Sequence, residues 1–414
     1  MKHYKLVIVG SGISSFFFLK GLDSKFYKDT CVLKGNYSAD KSFKQNYKTS
    51  FFLSNKFGGL ASSWLAGYTQ FRSRDLENLS IKFRKRVFKS HQDLNKKYNK
   101  VYSNYFSSKN FKFNLVKSSN EINVFNNQTL LYKNNILRAQ KFKNIKYLRS
   151  SLENIKKIDN KFKVYLNDKG EFITCDKLIL ACGTISTAGI ISKIFKLEKI
   201  YFKHQLYFNG FAIFPFKSFI FHKFKFATKS YEDVSKVFGG TFEYYGDFVN
   251  NKLKEILPIM KFKIVSFILS FFFKKMIFFN SFINSKYCDA YIQNKGKYFS
   301  INTEISDANI KKFLILVERK LKIFFWQNYN FTPFLKVIKK KIGFDKHYFG
   351  IFFNKKNKKL KITDRSELVG FKNLFICDQS VININTSKFI TFLSMANSYS
   401  LGNIISKDLK KEKS

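Results

Sequence analysis

The chain has 414 residues, 45% apolar and 25% charged, with 53 Phe and 22 Tyr. That is core enough for two or three domains at about 150 residues each, and it excludes intrinsic disorder, while 3 Pro and 19 Gly exclude collagen-like and linker-rich chains. The net charge of +47 comes from 75 basic and 28 acidic residues, but 67 of the basic ones are Lys, scattered among other A/T-rich-codon residues with no reader module, so no nucleic-acid partner is expected.

Residues 4–9 form a short β-branched apolar run, which predicts a strand buried on both faces. Gly10-Ser11-Gly12-Ile13-Ser14-Ser15 follows, then a helix over 16–22 and a second strand at Thr30–Leu33, a βαβ opening. In Gly10-x-Gly12-x-x-Ser15 the first glycine permits a tight turn and the second lets a pyrophosphate reach the backbone. Ser15 is small enough for the third, packing position, and the helix start adds N–H groups and positive charge. A dinucleotide is the expected ligand. The acidic residue that usually closes the second strand to hold the adenosine ribose is missing, because Lys34 stands there. Either the ribose is held differently, or affinity is reduced, or Lys34 is a solvated loop residue.

Residues 36–56 and 85–135 are polar with few periodic signals. A strand is predicted at 162–166, a turn at Asp168-Lys169-Gly170, a returning strand at 172–174 and a buried strand at 177–181 running into Gly183. Residues 200–345 are crowded with aromatics and include strand-like 208–215 and helix-like 310–326, which suits a separate domain of antiparallel sheet and helices. Residues 264–273 are apolar apart from Ser266 and Ser270 and then meet Lys274-Lys275. A membrane span needs about 20 apolar residues, so this segment predicts a buried helix or, alternatively, one resting on lipid, and no transmembrane segment. Strand, loop and helix return over 374–404. The five cysteines are isolated, with no CxxC and no zinc spacing. A reducing compartment and no metal site are therefore expected, and the early glycine turn leaves no signal peptide. The expected location is the cytoplasm, with contact to the inner membrane face left open.

Three further stretches act together. They are Phe57-Gly58-Gly59-Leu60-Ala61-Ser62-Ser63-Trp64, then Leu178-Ile179-Leu180-Ala181-Cys182-Gly183-Thr184, and Cys377-Asp378-Gln379-Ser380 running on to Thr391-Phe392-Leu393-Ser394-Met395-Ala396-Asn397. With the glycine turn they stand in order and at both ends of the chain. The set resembles the glucose-methanol-choline oxidoreductases, and Met395-Ala396-Asn397 with Tyr399 is similar to bacterial members from cell-surface polysaccharide clusters.

The resemblance implies an α/β fold, with a Rossmann-like FAD-binding domain (three-layer ββα) formed by 1–199 and 346–414. It also implies an inserted α+β substrate domain at 200–345, built on an antiparallel sheet and trimmed relative to typical members. FAD would be held noncovalently by Gly10, Gly12, Ile13, Ser14 and Ser15, by Gly58, Gly59 and Ser62, by Ala181 and Gly183, and by Asp378 and Thr391. Asp378 would accept from ribityl hydroxyls or merely cap its own segment, and a helix starting near Thr391 would aim its positive end at the flavin. His347-Tyr348-Phe349-Gly350 is similar to the family's His-x-x-Gly and makes His347 the expected base in hydride transfer from a CH–OH group to flavin. The family's second catalytic position falls on Lys388, with Asn385 as the alternative. The implied function is oxidation of an alcohol, sugar or polyol, in the setting of surface glycan assembly. A catalytically impaired FAD-binding or membrane-surface accessory protein and a nicotinamide-dependent dehydrogenase are the rival readings.

Overall fold

The computed structural model describes residues 2–34, 43–45, 51, 76–102, 115–118, 122–125, 141–166, 171–215, 228–233, 235–244, 262, 268–269, 271–273, 275–343, 347–352, 354–387 and 390–412. Its first sheet joins β1 (Lys2–Val9), β2 (Thr30–Leu33), β6 (Lys146–Leu148), β7 (Leu152–Ile158), β8 (Lys161–Leu166), β9 (Phe172–Leu180) and β18 (Leu374–Ile376). The order is β6-β2-β1-β9-β8-β7, with β18 also beside β9. β1 lies between parallel neighbours, with Leu6 opposite Thr30 on one side and Lys177 on the other. Leu6 to Val9 are wholly buried, which is why that stretch is continuously apolar rather than alternating.

The hairpin return and the buried strand expected as two segments are one strand, β9. It pairs antiparallel with β8 at its start and parallel with β1 along its length. Asp176, between the two expected segments, is the fifth of the nine residues of β9; its carboxylate lies 3.3 Å from His3 and does not interrupt the ladder. Helices α1 (Ile13–Gly21), α3 (Thr184–Ile194) and α5 (Thr391–Lys411) follow the C-terminal ends of β1, β9 and β18. Crevices outside such strand ends are where ligands sit in open α/β sheets.

A second, antiparallel sheet runs β17-β11-β14-β13-β12-β5-β4. Its strands are β4 (Leu115–Ser118), β5 (Ile122–Phe125), β11 (Leu206–Ile213), β12 (Thr228–Asp233), β13 (Phe238–Tyr244), β14 (Met276–Ile283) and β17 (Phe334–Lys339). One face, with Phe208, Ala212, Phe242 and Phe279, packs on α4 (Asp307–Tyr329), where Phe242 stacks on Phe324 at 5.5 Å. Ser306 caps the start of α4 by accepting from the Asn309 N–H at 3.2 Å, and Asn330 ends it in the left-handed conformation. A smaller sheet runs β10 (Lys199–Lys203), β15 (Asp289–Asn294), β16 (Phe299–Thr303), β3 (Phe43–Gln45). Thus β3, β4 and β5, all upstream of residue 199, serve the sheets of the inserted region.

Two local expectations fail. A 22-residue helix, α2 (Ile81–Tyr102), occupies part of the stretch read as aperiodic. Its buried stripe, Phe83, Val87 and Leu94, is thin and interrupted by cations and amides. The apolar segment 264–273 is not buried where it is described: Ile268, Phe271 and Phe272 are 51%, 53% and 63% exposed. The interior beneath β14 is already filled by Phe324 and Phe325 of α4. No helix among the described residues is long and apolar enough to cross a membrane.

The ends of the chain meet where α1 crosses α5. A Cβ on Gly21 would strike the Tyr399 carbonyl, and one on Gly402 would strike the Phe18 carbonyl. Beyond the crossing, the Ser406 hydroxyl accepts from the Asp23 N–H at 2.8 Å, Lys410 pairs with Asp23 at 2.9 Å, and buried Lys177 pairs with Glu412 at 2.6 Å. Alanine ordinarily stabilises a helix interior over glycine by about 1 kcal/mol. Here Gly402→Ala is expected to reverse that sign and destabilise the fold by about 1–3 kcal/mol, because backbone must move. The urea midpoint reads this directly, and an unchanged or raised midpoint shows that the crossing is not tight.

Candidate functional site

The first glycine turn needs glycine twice over. Gly10 has φ of +102°, and a Cβ there would lie 2.6 Å from the Ala181 carbonyl oxygen and 2.8 Å from Cys182 Cα. The turn after β1 therefore rests on the turn after β9. Gly12 precedes α1 with no side chain capping the helix, so its first N–H groups face outward, and Ser15 is buried at the packing position. Ser14 Oγ lies 3.2 Å from Ser394 Oγ, which places the first turn of α1 beside that of α5. α5 begins at Thr391, as expected, and it too lacks a side-chain cap.

The N-terminus of α3 is different. Gly183, at φ +84°, donates its N–H to Asp378 Oδ2 at 2.9 Å, and the Thr187 hydroxyl donates to the same oxygen at 2.6 Å. Asp378 Oδ1 accepts from the Ser380 N–H at 2.9 Å. The fully buried carboxylate thus clamps the turn after β18 to the turn after β9. Burial pushes its pKa up, against the pull of these donors. Ala181 and Gly183 stand where the sequence puts them. Burial pushes the Cys31 thiol up to about 12 and raises Cys175, Cys182 and Cys377 as well, so these sulfurs stay protonated at neutral pH.

His347 is buried, with its ring 5.6 Å from that of Phe282 on β14. The segment it begins is tied to both turns. The Thr184 hydroxyl donates to the Tyr348 carbonyl at 2.6 Å, and the Gly350 N–H donates to the Gln379 carbonyl at 3.2 Å. Gly350 has φ of +73° and would place a Cβ 3.1 Å from the Ile382 carbonyl, so the glycine of His-x-x-Gly is dictated by backbone. Phe349 exchanges backbone hydrogen bonds with Lys203 at 2.7 and 2.9 Å.

Lys203 escapes sequence reasoning, because one lysine among 67 carries no signal. Its ammonium donates to Asn385 Oδ1, and burial holds its pKa below the usual lysine range. The next residue, Thr386, is clamped by Ser285 and Gln205, whose amide donates to the Thr386 carbonyl at 2.8 Å. Asn385 is therefore fixed beside the His347 segment with its oxygen turned to Lys203. Lys388, Gly58, Gly59 and Ser62 lie outside the described residues.

Two cationic features complete the region. Lys34, at the end of β2, has desolvation and then Lys141 and Arg149 holding its pKa down, so the ribose-acid position is a basic cluster. Arg86 of α2 donates to Ser366 Oγ and Asn397 Oδ1 at 3.1 Å and to Ser400 Oγ at 3.2 Å. It joins α2 to the Met395-Ala396-Asn397 stretch, and burial lowers its pKa to about 10.

Asp378→Asn tests the clamp. Its folded pKa exceeds the unfolded 3.8, so this group's contribution to stability is complete below 3.8 and declines as pH rises through the folded value. The variant is expected to lose that decline. It should also fall by about 1–3 kcal/mol in mild acid, because its N–H2 end meets N–H or O–H donors. Denaturant midpoints across mildly acidic to mildly alkaline pH measure both effects.

Compared by sequence, the chain matches no family model and no curated protein. Compared by structure, it is similar to pyridoxine 4-oxidase from Mesorbium loti, with a TM-score of 0.56 and 10% identity over 97% of this chain and 99% of that chain. At that identity the likeness is one of fold, and the expected α/β class with an inserted antiparallel-sheet domain is the fold observed.

Proposed function

We propose that this chain is an FAD-dependent oxidoreductase that oxidises a CH–OH group. The observation that carries the reading is the meeting of two uncapped helix starts, α1 and α5, at the ends of parallel strands, with the His347 segment fastened beside them. The shared fold with an enzyme named as an oxidase supports it. The residues fit the cofactor. Gly10 keeps the turn tight against the Ala181 backbone, and Gly12 puts no side chain in front of the first N–H groups of α1, which a pyrophosphate would take. Bound there, FAD supplies a two-electron acceptor.

The chain supplies the rest. His347, buried beside these helix starts, takes the hydroxyl proton as the general base. Asn385, with its oxygen held by Lys203, keeps its amide N–H2 as a donor for the substrate oxygen and fills the second catalytic position in place of Lys388. The positive end of α5, from Thr391, favours negative charge in front of it. We assign the substrate to sugars and polyols, in the surface-glycan setting that Met395-Ala396-Asn397 suggests. The basic cluster of Lys34, Lys141 and Arg149 favours one second reading, an FAD-binding protein with weak cofactor affinity and no turnover.

An absorption spectrum of the purified protein should show the two visible bands of oxidised flavin, with the chromophore released by acid precipitation. His347→Gln should keep these bands and slow anaerobic bleaching by D-glucitol, D-glucose or pyridoxine by about 10²–10⁴-fold. Bleaching at the wild-type rate rules His347 out as the base. Lys34→Asp should tighten FAD binding by about 10-fold, as a carboxylate accepts from ribose hydroxyls. Unchanged affinity in a titration places the ribose elsewhere.

A further inference from the structure

The face of the antiparallel sheet that turns away from α4 carries three cross-strand pairs on β11 and β14: Tyr207 with Phe282, Asn209 with Asn280, and Phe211 with Phe278. Strand alternation puts all six on one side, opposite the buried Phe208, Ala212, Ile277 and Phe279. This is the side His347 meets, because the Phe282 ring lies 5.6 Å from the imidazole and stacks on Tyr207 at 5.1 Å. One row on, about 7 Å along the strands, are the asparagines. The Tyr207 hydroxyl donates to Asn280 Oδ1, while Asn209 Oδ1 is buried and has no donor among the described residues. Two facing asparagines in mid-strand oppose β-propensity, and a buried carbonyl without a donor is destabilising. Folding alone supplies no reason for either.

We propose that Asn209 is a specificity-determining residue that accepts a hydrogen bond from a second hydroxyl of the substrate, so that the chain binds polyols in preference to mono-alcohols. The inference rests on the reading of His347 as the site of oxidation. The reacting carbon lies at the His347–Phe282 row and the recognised hydroxyl one row away, a separation that a sugar ring or short polyol bridges. A site built to pair with a substrate hydroxyl rejects the analogue that lacks it, because its own polar atom is then left buried and alone.

The test is calorimetric binding to the purified full chain, with myo-inositol and D-glucitol as polyol probes and cyclohexanol as the mono-alcohol. The wild type is expected to bind at least one polyol at least ~10-fold more tightly than cyclohexanol. Asn209→Ala and Asn209→Leu, the second of which keeps the volume without an acceptor, are expected to remove that preference while cyclohexanol affinity stays unchanged. Asn209→Asp, which keeps an acceptor, retains it. A preference that survives both Ala and Leu, or a wild type without one, overturns the proposal. His347→Gln separates the two readings, since it is expected to keep the binding preference while losing flavin bleaching. Asn209-dependent polyol binding to a wild type that never bleaches its flavin defeats the oxidoreductase reading and leaves the subsite standing.

Discussion

Everything in the half of the fold built on the parallel sheet hangs on two helices touching backbone to backbone. Gly21 and Gly402 let α1 and α5 cross with no side chain between them, and nothing larger fits at either position. That contact brings the first and last helices into register, so that Ser14 meets Ser394 and the two helix starts open together at the ends of β1 and β18. Separating the helices by the width of one methyl group would disperse the outward N–H groups that make the region attractive to an anion.

The same region divides its polar groups into those that hold the structure and those left for a ligand. Asp378 satisfies the start of α3 from inside the chain, and Arg86 is absorbed by Ser366, Asn397 and Ser400. Among the described residues, no N-cap side chain closes the start of α1 or α5. At α3 one of the four free N–H groups, that of Gly183, is taken up by Asp378, and the starts of α1 and α5 keep theirs for a ligand. Lys203 belongs to both classes, since its backbone and methylenes support the His347 segment while its ammonium orients Asn385.

How much of this could be read in advance follows from the range of the interactions. The βαβ opening was legible because its causes are local: a β-branched run, two glycines two residues apart, and a small serine. Gly350 and Gly183 were legible for the same reason, as each answers to its own positive φ. β9 reads from sequence as two segments because the polar Asp176 lies in its middle, and only its partner strands make it one continuous ladder. α2 was missed because its stripe is narrow, and the attachment of β3, β4 and β5 to distant strands leaves no local trace. Lys203 and Asn209 were out of reach altogether, because their meaning lies in neighbours brought by the fold.

The parallel core has a consequence for the order of synthesis. β1 meets one neighbour, β2, only some twenty residues later, whereas the other, β9, follows only at Phe172–Leu180. The cover for Gly21 comes later still, with Gly402. A strand that is apolar on both faces must therefore wait with one edge unpaired until β9 is made, and long-range parallel pairing is slow to form once its partner arrives. Such a nascent chain depends on chaperones to shield residues 4–9, and a cell short of them should lose this protein to aggregation before it loses any finished molecule to unfolding.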